Sequence, residues 1–190
     1  MNILPQEVSA MLLDGIKVVV LIAPEFEDLE FWVPVMRLQE AGAEVIVAGA
    51  RAHETFLGKH GVPARSDVAF DDISASKFDA VLIPGGWAPD KLRRYSAVQH
   101  LVKEMYVQDK IVGMICHAGL VGISAGIVGG HTATGSEGIK DDLINAGAIW
   151  RDEPALRSSN IVWGRVVADI PAYCYQLMLA LQERVPQSKN

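Results

Sequence analysis

The chain alternates between short continuous apolar runs and longer segments whose apolar positions recur at helical spacing. Lys17-Val-Val-Val-Leu-Ile-Ala23 is an uninterrupted β-branched run, the pattern of a parallel strand buried on both faces. Asp28 to Gly42 reads as a helix with apolar positions at Leu29, Trp32, Val33, Met36 and Leu38 and a stop at Gly42. Pro34 fits either the first turn of that helix or a kink in a longer one. Glu44 to Ala48 is a second strand, and a polar, glycine-marked stretch follows to Asp67, with Gly58-Lys-His-Gly61 reading as a turn. Further strands are predicted over Asp79 to Pro84 and Ile111 to Cys116. Helices are predicted over Ser96 to Gln108, His117 to Ile127, Gly138 to Ala146 and Ile170 to Val185, with short strands between Trp150 and Ala168. Strands alternating with helices predict an α/β fold: a mostly parallel sheet with helices on both faces.

In such sheets functional residues collect at the carboxyl ends of the strands. Three places qualify: Pro24 to Glu30, Pro84 to Asp90 and Cys116 to Gly119. Cys116 ends an apolar strand and is followed at once by small residues, the layout of a nucleophile elbow. A helix N-terminus at that point would lower the thiol pKa. Gly85 and Gly86 end the neighbouring strand, and their N–H groups with that of His117 would form an oxyanion hole. Glu25, Glu27, Asp28 and Glu30 crowd the end of the first strand. A carboxylate beside a thiolate repels it, whereas a protonated carboxyl donates a hydrogen bond to it. Glu30 is assigned that protonated role and Glu27 a supporting polar contact.

Composition narrows the setting. A chain of 190 residues, half of them hydrophobic and 21% charged, suits one globular domain. We divide it into an N-terminal extension (1–16), a single domain (17–185) and a C-terminal tail (186–190). A formal net charge of -6 argues against a nucleic acid or an anionic membrane as partner. The first fifteen residues lack a basic start and carry Glu7 and Asp14, which does not read as a secretory signal. The two cysteines, Cys116 and Cys174, set up no disulfide framework, and the cytoplasm is the expected location. Cys174 lies in an apolar helical pattern and is assigned to packing. The five histidines show no ligand spacing with cysteine, so neither metal nor cofactor is expected.

Taken together, Glu27-Asp-Leu-Glu-Phe-Trp-Val-Pro34, Gly58-Lys-His-Gly61, Ile83-Pro-Gly-Gly-Trp-Ala-Pro-Asp90, Ile115-Cys-His117, Ile123-Ser-Ala-Gly126 and Gly138 to Gly147 resemble the PfpI family of the ThiJ/PfpI superfamily. The resemblance runs from about Lys17 to Leu181. It implies a flavodoxin-like three-layer sandwich, an oxidisable cysteine, and a homo-oligomer (a dimer or higher, up to a hexamer) with sites near subunit interfaces. It also implies a stress-response role on reactive carbonyls or their protein adducts, in the manner of a glyoxalase or deglycase. The alternatives are a weak cysteine peptidase or amidase, and a redox sensor or chaperone working through oxidation of Cys116. By motif position Glu30 matches the carboxyl that contacts the cysteine. Asp90 matches an acid that reaches the histidine of a neighbouring subunit, though it is one methylene shorter than the family's Glu. Ala118 and Gly119 replace the usual Gly-Pro after Cys-His.

The amidotransferase branch of the fold requires a late His-x-Glu, and the one histidine after His117 stands in His131-Thr-Ala. A peptidase needs a histidine in reach of Cys116. His117 is its immediate neighbour, and successive residues entering a helix point about 100° apart, so a direct bond is expected to need a partner such as Asp90 of another subunit. Addition of the thiol to a carbonyl requires no strict triad, which favours a small carbonyl substrate over a peptide.

Overall fold

A computed structural model describes residues 12–185; the 186–190 tail and most of the 1–16 extension lie outside the described residues. The strands are β1 (Lys17–Leu21), β2 (Glu44–Gly49), β3 (Thr55–Leu57), β4 (Pro63–Arg65), β5 (Val68–Ala69), β6 (Ala80–Ile83), β7 (Ile111–Ile115), β8 (Thr132–Ala133), β9 (Ile149–Trp150), β10 (Ala155–Ser158) and β11 (Ile161–Gly164). The α-helices are α1 (Asp28–Glu40), α2 (Ala88–Leu92), α3 (Ser96–Val107), α4 (Gly119–Ser124), α5 (Lys140–Asn145) and α6 (Ile170–Gln182).

Seven strands form the main sheet in the order β10-β11-β7-β6-β1-β2-β5. Every pairing in it is parallel except that of β10 with β11. The central strands β6, β7 and β11 are buried at every residue, and β1 at all but Lys17, which is why they read as unbroken apolar runs. Helices α1 and α6 pack together on the sheet, while α3 packs on β6 and β7 and meets α4, which meets α2. The result is the predicted α/β sandwich. Among the described residues no helix is long and apolar enough to cross a membrane.

Of the two readings of Pro34, the one inside a longer helix holds: it stands in the second turn of α1. Two local expectations are corrected. Helix α1 turns a different face inward. Asp28, Glu30, Phe31, Pro34, Val35 and Leu38 are buried, whereas Leu29, Val33 and Met36 are exposed. The buried side faces the sheet and carries two acids because it also faces the strand ends. After Cys116 the chain makes one 3-10 turn (Cys116–Ala118), and the α-helix spans six residues only. Gly126, with φ +67°, lies just beyond it. A helix this short, starting three residues past the cysteine, has little dipole to offer the thiol.

Candidate active site

The strand ends are tied together before any side chain is considered. Phe26 bridges Gly86, and the Glu27 N–H donates to the Gly85 carbonyl at 3.1 Å, joining the end of β1 to the end of β6. Next to β6, β7 ends at Ile115 and Cys116 follows with φ +60°. This left-handed conformation costs a non-glycine residue roughly 1–2 kcal/mol. It is the elbow expected from the sequence, and the neighbouring fold holds it: the Ser136 N–H donates to the Cys116 carbonyl at 3.1 Å.

Glu30 stands in the first turn of α1 and is 2% exposed. Its Oε2 accepts the Gly85 N–H at 2.8 Å, its Oε1 is buried without a hydrogen-bond partner, and the carboxyl lies beside the Cys116 thiol. A Cβ on Gly85 would sit 2.5 Å from Glu30 Oε2 and 2.7 Å from Cys116 Cβ, so only glycine lets acid and thiol meet there. The Gly85 N–H is thereby consumed, and the proposed oxyanion hole is corrected to two donors. The backbone N–H groups of Gly86 and His117 are directed at the sulfur.

Burial pushes the Glu30 carboxyl up to about 7, offset in part by the Gly85 hydrogen bond. The Cys116 thiol is pushed up to about 12 by burial first and by the Glu30 charge second. The Glu30 charge raises the thiol while the His117 and Gly86 amides lower it, so carboxyl and thiol do not ionise independently and the pair holds one proton between them.

His117 Nδ1 lies 3.2 Å from Cys116 Sγ. The expectation that this contact needs a partner is corrected: Cys116 is left-handed rather than helical, so helical spacing does not apply and thiol and ring meet within one chain. Burial lowers the His117 pKa, with help from the Lys59 charge, so the ring is neutral at pH 7 and able to accept a proton. The Trp87 ring packs beside it, 6.0 Å between centroids. Asp90 on α2 does not reach His117; its carboxylate pairs with Arg94 and is half exposed. Asp90 and His117 share only the lining of a neighbouring cavity of about 400 Å³.

The thiol opens into a cavity of about 290 Å³ lined by Glu27, Glu30, Lys59, Gly86, Trp87, Cys116, His117 and Val166 to Ala168. Glu27 is 6% exposed, with Lys59 Nζ at 4.0 Å and His60 Nε2 at 3.4 Å. Glu27, Asp28 and His60 place ligand-type atoms within 4.8 Å of one another. Both Asp28 oxygens, however, already accept backbone N–H groups, from His60 and Val62 at 2.8 Å each. Asp28 is therefore a loop anchor. Sequence reasoning missed Lys59 and Val166 to Ala168; the Gly58-Lys-His-Gly61 motif was the available signal for the first.

An α/β sheet carrying a cysteine on a strained elbow, with a buried carboxyl against it, defines a class of cysteine-centred proteins. This chain belongs to the DJ-1/PfpI family, whose sequence profile matches residues 16–180. It is 39% identical over 166 residues to the Pyrococcus horikoshii protein named Deglycase PH1704, covering 87% of this chain and 99% of that one. It is 40% identical over 157 residues to a Bacillus subtilis protein named Putative cysteine protease YraA, covering 83% of this chain and 93% of that one. Among solved structures it matches a two-domain protein from Anabaena variabilis, with DJ-1/ThiJ/PfpI-like and ferritin-like domains, at 38% identity and a TM-score of 0.85. That match covers 87% of this chain and 49% of the other, so this chain spans about half of it.

Proposed function

We propose that the protein is a cysteine-dependent enzyme acting on reactive carbonyls or their amine adducts. The observation that carries this reading is the placement of the buried Glu30 carboxyl, pushed up to about 7, beside the Cys116 thiol. A group of that pKa is suited to accept and return protons at neutral pH. As sulfur bonds to a carbonyl carbon, the thiol proton passes to the Glu30 carboxylate. The oxygen, now anionic, takes hydrogen bonds from the Gly86 and His117 amides and then the proton back from Glu30, giving a hemithioacetal. With a 2-oxoaldehyde, Glu30 next removes the proton from the former aldehyde carbon and delivers it to the adjacent one. Water cleaves the resulting thioester, so substrate plus water yields a 2-hydroxy acid and the free thiol. With a hemiaminal adduct the thiol displaces the amine, which leaves with the thiol proton relayed by Glu30, giving the same hemithioacetal. The name deglycase carried by one relative accords with this chemistry. Incubation with methylglyoxal, following the 2-hydroxy acid formed, tests the reading; turnover equal in wild type and Cys116→Ser would overturn it.

The 3.2 Å approach of His117 Nδ1 to Sγ favours a second reading, a cysteine amidase or peptidase with His117 as base. Among the described residues no acid hydrogen-bonds the ring to orient it, which weighs toward the carbonyl reading. Small amide substrates tested against His117→Gln separate the two.

A further inference from the structure

The segment Gly58 to Gly61 reads as a turn in the sequence, yet it is held far more firmly than a turn requires. The Lys59 N–H donates to the Phe26 carbonyl at 2.8 Å, and the two N–H bonds from His60 and Val62 to Asp28 are of the same length. Asp28 is 3% exposed, and a Cβ on Gly58 would collide with its carboxyl. A buried acid and a glycine are thus spent on fixing the backbone of one residue, Lys59, whose side chain joins the lining of the thiol cavity.

The ammonium is not used up by the protein. Its nearest acid, Glu27 Oε2, stands at 4.0 Å, beyond hydrogen-bond reach. Lys59 donates no side-chain hydrogen bond among the described residues, and its side chain is 44% exposed. Glu27 balances its charge without occupying its three donors. The cavity therefore has three chemically distinct parts: the buried thiol and carboxyl, an apolar wall of Trp87, Val166 and Val167, and one cation open to solvent.

We infer that Lys59 binds a carboxylate or phosphate at the far end of the substrate, so that the site prefers 2-oxoaldehydes with an anionic tail over neutral ones. The electrophilic carbon meets Cys116, a short carbon chain lies along the apolar wall, and the anion takes hydrogen bonds from Nζ that Glu27 does not. This rests on the carbonyl reading above, and its test is built to fail separately. Steady-state kinetics with 4,5-dioxopentanoate (carboxylate tail), hydroxypyruvaldehyde phosphate (phosphate tail) and methylglyoxal (neutral) give the preference and show which anion is favoured. In Lys59→Met the anionic-to-neutral ratio of kcat/KM should fall about tenfold or more, the change lying in KM, since one ion pair in a partly desolvated site is worth roughly that factor. Lys59→Arg should keep most of the preference. Alkylation of Cys116 needs no turnover: the ratio of rates with iodoacetate and iodoacetamide should likewise fall in Lys59→Met. Absence of any turnover would sink the carbonyl reading and leave the alkylation ratio to decide the role of Lys59. Ratios within twofold of wild type in Lys59→Met, by kinetics where there is turnover and by alkylation in any case, would overturn the inference.

Discussion

The two cysteines sit in regions that differ in backbone, exposure and partners, Cys174 being buried and Cys116 half-buried. Cys174 lies mid-way along α6, 8% exposed, its thiol pushed up to about 11 by burial with Arg37 pulling weakly the other way. Cys116 sits on a strained elbow at a strand end and its thiol is pushed higher still. Burial raises both thiols, and both line cavities, so neither feature separates them. The difference lies in partners: Cys116 has a carboxyl beside it and two amides aimed at its position, whereas Cys174 faces Arg37 and apolar neighbours. A neighbouring group that can share a proton and amides that can meet a developing charge are what chemistry at a thiol needs.

The sharpest way to break this comparison is to remove each thiol in turn. Cys116→Ser should lower turnover of a 2-oxoaldehyde by about a thousandfold or more, the scale expected for losing a covalent nucleophile. Cys174→Ala should leave turnover unchanged and cost about 1 kcal/mol of stability, as for a small buried side chain. Comparable losses of activity in both variants would show that the distinction drawn above is wrong.

Next in size is Glu30→Gln. It keeps a polar group against Gly85 and Cys116 while removing the base, so turnover should drop by about two orders of magnitude. Wild-type turnover should rise with pH through about 7 as Glu30 ionises, and the variant should lack that limb. A wild-type limb centred near the ordinary thiol value instead would restore the preformed-thiolate picture.

The same carboxyl has a stability signature. Its folded pKa, about 7, lies above the ordinary 4.5, so between those values the native state holds a proton that the unfolded chain has lost. Stability is thus greatest below about 4.5, declines as pH rises and levels off above 7, by about 3 kcal/mol in total. Denaturant unfolding of wild type against Glu30→Gln across this range should show the decline in the first and its absence in the second. Parallel profiles would mean that Glu30 is not desolvated as described.

Much of this arrangement was legible from the chain. Strands buried on both faces announce themselves as apolar runs, and the topology rule then selects the ends where Glu30, Gly85 and Cys116 meet. What stayed hidden depends on direction rather than residue type. Leu29, Val33 and Met36 gave the apolar stripe of α1, but the sheet took the other face, with Asp28 and Glu30 buried on it for the sake of their partners. The Gly85 N–H could not be known to be occupied until Glu30 was placed. The His117 contact could not be read from helical spacing, because Cys116 takes a left-handed φ and its carbonyl is held by the distant Ser136 N–H.

The smallest expected effect concerns Asp90, and it bears on assembly. Within one chain its carboxylate pairs with Arg94, both side chains more than half exposed, and such a surface pair contributes about 0–1 kcal/mol. Asp90→Asn in an isolated chain should then change turnover by no more than about threefold, because one unit of surface charge is largely screened. The site nevertheless has the form of one that a second copy would complete. Among the described residues His117 has no acid partner, Trp87 beside it is 56% exposed, and Asp90 and His117 line one cavity. We propose that the chain forms a homo-oligomer in which a neighbouring copy brings an acid to this cavity. Turnover per chain measured over a dilution series, alongside sedimentation, distinguishes the cases. If Asp90→Asn costs more than tenfold and wild-type activity falls on dilution as the oligomer dissociates, Asp90 acts across an interface and the self-sufficient Cys116–Glu30 pair described above is incomplete. If activity per chain is constant down to the 20.6 kDa monomer, the pair works alone and Cys116 needs nothing that its own chain does not supply.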